Sequence, residues 1–183
     1  MTNRFTQKAQ NALNHALIAA RSFGHSYVGS EHLLVGLASD GESVSARILA
    51  ARGVTRAKII DTITTAIGTG TPTDVTAADL TPRVKQIIEM SAYTSTRLGH
   101  SYIGTEHLLL SLLEETDCVA LRVLEALGVS ATDLKNSLLS YLDGVERTAP
   151  VDKAARTQAR ADGALRDCPT LASYGRNLTA LAK

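Results

Sequence analysis

The chain has 183 residues, 44% of them apolar, with 19 Lys and Arg against 18 Asp and Glu. That length suits one compact domain, or two small modules sharing a core. A net charge of +1 and an aromatic content of 4% argue against nucleic acid, an anionic membrane surface or base stacking as partners.

Thr6 is placed to cap a first helix, in which Ala9, Leu13, Ala16, Leu17 and Ala20 recur at helical spacing. Gly24 fits the left-handed position that closes it. Ser30 is placed to cap a short second helix carrying Leu33, Leu34 and Leu37. A third helix spans about Ser43 to Arg52 and stops at Gly53. Thr55 caps a fourth, with Ile59, Ile60, Ile63 and Ile67 before Gly68. Residues 69–80, rich in Thr, Gly and Pro, read as a linker. The pattern then starts again. Thr81-Pro82 is an N-cap followed by proline at the first helical position.

GHSYVGSEHLL from Gly24 returns as GHSYIGTEHLL from Gly99, with nine of eleven positions identical. The same 75-residue offset carries Thr6 onto Thr81, Leu37 onto Leu112, Leu49 onto Leu124 and Gly53 onto Gly128. A gap-free offset over a whole unit marks a duplication. The expected fold is all-α: two tandem four-helix repeats, residues 1–68 and 81–145, related by a pseudo-twofold axis. Residues 146–183 carry seven basic and four acidic residues with sparse apolar spacing, and read as a partly ordered tail.

Catalytic and metal constellations are not evident. Cys118 and Cys168 are far apart, form no CxxC and read as reduced thiols, which points to the cytoplasm. The opening MTNRFTQKAQ lacks the apolar core of a signal peptide. No apolar run approaches the ~20 residues that span a bilayer. His25, His32, His100 and His107 invite a metal reading, but no HExxH or third ligand accompanies them, and packing at helix ends is the plainer account. A Ser30–His32 nucleophile pair has no orienting acid, and Thr105 takes the place of Ser30 in the second repeat. No GxxxxGK[ST] loop cradles a nucleotide. The chain is therefore expected to be no enzyme and to carry no cofactor or metal. Glu31 and Glu106, each after a hydroxyl residue at a helix start, read at the least as first-turn acids that complement the helix dipole.

The pair GHSY-[VI]-G-[ST]-EHLL, with RFTQKAQNAL and LTPRVKQIIEMS opening the two units, resembles the Clp N-terminal repeat of the ClpC/ClpA class of AAA+ unfoldases, nearest to the actinobacterial ClpC type. The resemblance covers about residues 3–143. The end, PTLASYGRNLTALAK, resembles the segment before the first ATPase module of ClpC. The resemblance implies a non-catalytic docking domain of ClpC–ClpP proteolysis that receives protein substrates, adaptors or cyclic-peptide antibiotics. It would act as a stand-alone regulator or decoy, or as the receiving domain of a full-length unfoldase.

The resemblance also implies a phosphoarginine site in each repeat, pairing Thr6 with Glu31 and Thr81 with Glu106. A carboxylate takes the guanidinium-derived end through paired N–H bonds, and a helix N-terminus takes the phosphate. It implies a hydrophobic docking patch near Thr2, Arg4, Phe5, Leu13 and Leu80. Thr2 and Leu80 stand where relatives carry Phe, which removes ring area from that patch.

Overall fold

Hydroxyl caps and glycines set the helix ends. In the computed structural model, which describes residues 4–148 and their side chains up to residue 144, α1 (Gln7–Phe23) starts at Thr6, whose hydroxyl accepts the Ala9 N–H at 3.1 Å. It ends on Gly24 at φ 72°. Then come α2 (Ser30–Leu37), α3 (Val44–Ala51) and α4 (Arg56–Ala66). Ser43 and Thr55 cap the last two through their hydroxyls. A 3₁₀ turn over Ala77–Asp79 precedes α5 (Pro82–Arg97), capped by Thr81, then α6 (Thr105–Glu114), α7 (Val119–Ala126) and α8 (Ala131–Thr148). The fold is all-α and repeats four helices twice, as expected. Thr2 and the tail beyond residue 148 lie outside the described residues. No helix among the described residues is long and apolar enough to cross a membrane.

One compact unit ends at Ser140, and the second begins at Tyr141 with the last part of α8. In the first unit every residue of α2 is buried, and every residue of α6 except its last, Glu114. A helix apolar on all sides belongs in the interior, so these two short helices form the centre. Leu34 and Leu109 are both fully buried there. α1 packs on α2 and buries Ala9, Ala12, Ala16, Ala19 and Ala20. Small residues let the helices approach closely: a Cβ on Gly36 would lie 2.1 Å from the Ala12 carbonyl oxygen. The second repeat solves the same contact with hydroxyls. Ser111 replaces Gly36, and its oxygen meets Thr94 Oγ1 at 3.3 Å. Buried Ser91 and Ser95 donate to the carbonyls of Ile88 and Tyr102, as buried hydroxyls require partners.

The stretch read as a linker is tied to the first repeat. Gly70 N–H donates to the Phe23 carbonyl at 2.7 Å, and Arg21 donates twice to the Val75 carbonyl. Val75 is fully buried among Ala16, Ala20 and Val28. The segment thus carries Leu80 and Thr81 along a defined route.

Candidate functional site

The two repeats exchange their N-terminal arms. Thr6 N–H donates to the Ile103 carbonyl at 2.9 Å, and Ile103 N–H donates to the Arg4 carbonyl at 2.7 Å. The same pattern recurs 75 positions along: Thr81 N–H donates to Val28 at 3.1 Å, and Val28 N–H to Asp79 at 2.9 Å. Two isolated parallel bridges, Phe5 with Ile103 and Val28 with Leu80, result. This reciprocity is the mark of an isologous, twofold contact.

The exchange corrects the expected pairing. Thr81 lies in one cleft with Glu31, and Thr6 is bonded beside the segment that carries Glu106. Threonine and glutamate of a single repeat are not brought together. The reason is the route of the arms: each packs its first residues against the other repeat's GHSY loop.

The Glu31 cleft encloses about 220 Å³ and is lined by Tyr27, Gly29, Ser30 and Glu31, by Thr81 and Arg83, and by Asp117, Cys118 and Val119. The starts of α2, α5 and α7 therefore converge on one space. Each helix start directs the partial positive end of its helix dipole there. Arg83 Nη1 is held by Glu115 Oε2 at 3.0 Å and the Thr116 carbonyl at 2.8 Å.

Ser30 has a different duty from the one expected. The N-cap of α2 is Gly29, and the imidazole of His32, three residues on, accepts its N–H at 2.9 Å. The Ser30 hydroxyl instead accepts the Ala120 N–H at 3.2 Å, capping the start of α7, where Cys118 makes no side-chain cap bond. Thr105 does the same for Ser45 N–H of α3 at 3.4 Å.

Hydrogen bonding fixes the tautomers of the first-repeat histidines. Gly29 N–H can only donate, so His32 Nδ1 accepts and Nε2 carries the proton. His32 Nε2 then donates to His25 Nδ1 at 2.8 Å, and His25 Nε2 to the Gly68 carbonyl at 3.2 Å. Burial and the neighbouring His25 push the pKa of His32 down to about 4. In the second repeat Gly104 N–H donates to His107 Nδ1 at 2.9 Å, and His107 Nε2 meets His100 Nδ1 at 2.7 Å. Burial and His100 lower His107 to about 4 as well. His25, Glu31 and His32 each bring a ligand-type atom within 4.8 Å of the others, but every nitrogen of both rings is already committed to a hydrogen bond.

Glu31 folds back over Gly29, where a Cβ would lie 2.5 Å from its Oε2. The residue is 1% exposed, and its Oε1 has no hydrogen-bond partner among the described residues. His32 Nδ1 is 3.5 Å away, but it already accepts from Gly29, so this is a contact of two acceptors and not an ion pair. Burial raises the Glu31 pKa, against the lowering pull of its own backbone N–H, His25 and Ser30. Glu106 lies over Gly104 in the same way, with Lys8, the counterpart of Arg83, bonded to the Glu42 carbonyl at 2.7 Å.

A second feature lies between the repeats. Phe5, Leu13, Leu17, Leu80 and Ile88, with Gln10, Asn14 and Ala77, line an apolar groove of about 320 Å³. Phe5 with Leu80, and Leu13 with Ile88, are pairs at the 75-residue offset, so the groove follows the pseudo-twofold relation. Arg4 does not line it and donates to the carbonyls of His100 and Ser101.

Comparison with known proteins accords with this arrangement. A family model described as the Clp repeat (R) N-terminal domain matches residues 4–102 and again 79–174. The negative regulator of genetic competence ClpC/MecB of Bacillus subtilis (strain 168) is 41% identical over 183 residues, covering all of this chain and 22% of that protein. The chain thus spans about a fifth of the length of this relative. The N-terminal domain of the chaperone ClpD from Arabidopsis thaliana superposes with a TM-score of 0.67 at 24% identity, over 78% of this chain and 97% of that one. The ClpV N-domain, solved in complex with a VipB peptide, does so with a TM-score of 0.57 at 16% identity, over 76% of this chain and 88% of that one. Duplicated motif, helix order and family match agree: the chain belongs to the Clp repeat (R) N-terminal domain family.

Proposed function

We propose that the chain is a non-catalytic docking domain of the cytoplasmic ClpC–ClpP proteolysis system, and that each of its two clefts receives a phosphoarginine side chain of a tagged protein. The observation that carries this reading is the Glu31 carboxylate, buried and short of a donor on Oε1, on the floor of a cleft where three helix N-termini meet. A ligand that suits it needs N–H donors at one end and an anion at the other. Phosphoarginine has both: its guanidino N–H groups reach the carboxylate, and its phosphate meets helix N-termini and Arg83. One cleft uses Glu31 with Thr81, and the other uses Glu106 with Thr6. The domains read from the sequence, residues 1–68 and 81–145, then share both sites between them.

Titration calorimetry with free phosphoarginine tests the reading. Wild type should bind up to two ligands. Glu31→Ala and Glu106→Ala should each remove one site, and the double variant should show no specific heat. A charge-assisted bond of ~1.5–3 kcal/mol makes each loss about tenfold or more. An absence of heat from wild type, or a double variant that binds as well, would remove phosphoarginine from the account.

The apolar groove favours a second, compatible reading, as the seat of an adaptor segment or a cyclic-peptide antibiotic. The ClpV N-domain, of the same fold, takes a peptide from VipB. Leu13→Glu should abolish such binding and leave the phosphoarginine heat unchanged. The docking chemistry is the same whether the domain receives cargo for a longer unfoldase or competes with one as a regulator.

A further inference from the structure

Among the described residues, Glu31 Oε1 is the one buried carboxylate oxygen without a hydrogen-bond partner. It faces a second acceptor, His32 Nδ1, whose lone pair points at Gly29 N–H. The titratable and charged groups around it are His32 and His25 beside it, Tyr27 at the cleft edge, Arg83 from α5, and Asp117 and Cys118 at the start of α7. Arg83 is turned to Glu115 and Thr116, so among the described residues no Lys or Arg pairs with the Glu31 carboxylate. A charged acceptor opposed to another acceptor in a buried site is costly, and protonation of the carboxyl removes that charge.

We infer that the Glu31 cleft is a proton–ligand exchange site: empty, it holds a proton on the Glu31 carboxyl, and a guanidino ligand enters by replacing that proton with its own N–H groups. This rests on the reading of the cleft as a phosphoarginine receptor. In the exchange the Glu31 O–H bond breaks, the proton leaves to water, and the freed carboxylate accepts the ligand's N–H bonds. No oxidant or co-reactant takes part. The burial that raises the Glu31 pKa acts in the same direction. Affinity should therefore climb as pH rises and level off once the empty site is ionised.

Glu106→Ala isolates the cleft, and phosphoarginine is titrated into that variant by calorimetry between about pH 5.5 and 8, in buffers of different ionisation enthalpy. The ligand's own phosphate titration, read by phosphorus NMR without protein, is subtracted. Carboxyl-carbon NMR of the ligand-free wild type follows Glu31 directly. The expected result is net proton release on binding that is largest at the acid end and fades as pH rises, with affinity rising over the same range. The Glu31 resonance should titrate above the ordinary glutamate range. A Glu31 midpoint in the ordinary range overturns the inference whether or not the ligand binds. Binding without proton release overturns it too and leaves the docking reading standing. No heat at any pH, with a raised midpoint, removes the docking reading and the exchange with it.

Discussion

The amide of Thr81, in the second repeat, donates to the carbonyl of Val28, in the first, at 3.1 Å. Three residues beyond Val28 is Glu31, so this bond decides which threonine shares its cleft. The bond between Thr6 and Ile103 does the same for Glu106. The Glu31 cleft is thereby composite, lined by residues of both repeats.

That composition has a direct consequence for affinity. With Glu106→Ala removing one cleft, Thr81→Ala should weaken phosphoarginine binding at the other by about tenfold, close to 1.4 kcal/mol. Thr6→Ala, in the same background, should leave it within about twofold, since distant sites act independently. Calorimetry on the two double variants decides between the exchanged and the within-repeat pairing. The reverse order of effects would restore the latter.

Glu31 should weaken the fold that displays it. Its pKa is raised in the folded state by burial, so the folded chain holds the proton more tightly than the unfolded one. The stability from this group is fully present below the unfolded pKa and is lost as pH rises through the folded pKa. Glu31→Gln should therefore raise the urea midpoint at neutral pH and leave it nearly unchanged at acid pH, while binding falls. Equal midpoints at pH ~7 would show that the carboxylate is stabilised in a way the geometry does not reveal.

His107 carries the opposite sign. It is fully buried, with a pKa lowered from 6.5 to about 4. A base with a depressed folded pKa supports folding above its unfolded value and withdraws that support as pH falls from 6.5 toward 4. The loss is on the order of 3 kcal/mol at most. Thermal melts should fall through this window, and His107→Gln should flatten the fall. Gln is chosen because its side-chain oxygen is able to accept the Gly104 N–H.

The two central leucines should be equivalent. Leu34 and Leu109 are both fully buried, and truncation of either to Ala should cost ~2–5 kcal/mol. Chemical denaturation measures this, and an unmoved midpoint would contradict the burial.

Gly24 and Gly99, identical in motif, should not be equivalent. Both have positive φ, 72° and 77°, and Ala at either carries the left-handed penalty of ~1–2 kcal/mol. Only at Gly24 would a Cβ also strike backbone, 2.4 Å from Gly70 C and Thr71 O. Gly24→Ala should be the more destabilising in urea melts by at least ~1 kcal/mol.

Local rules made much of this protein legible from its residues alone. Thr6, Thr55 and Thr81 cap the helices they were expected to cap, because a cap involves groups only two or three residues apart. Gly24 and Gly53 end helices in the left-handed conformation, and Leu34 and Leu109 are core, because spacing reports the buried face of a helix. The 75-residue offset shows that there are two like units. It is silent on how they pair, since a duplicated sequence has the same local structure whichever partner each unit takes. Tertiary structure decided that the arms cross over and that Thr81 lines one cleft with Glu31. It decided that Ser30 serves α7 while His32 takes the capping bond at Gly29, and that the apparent linker is bound down through Val75. These contacts join residues far apart in the chain, where each hydroxyl or amide has many candidate partners and only close packing selects one.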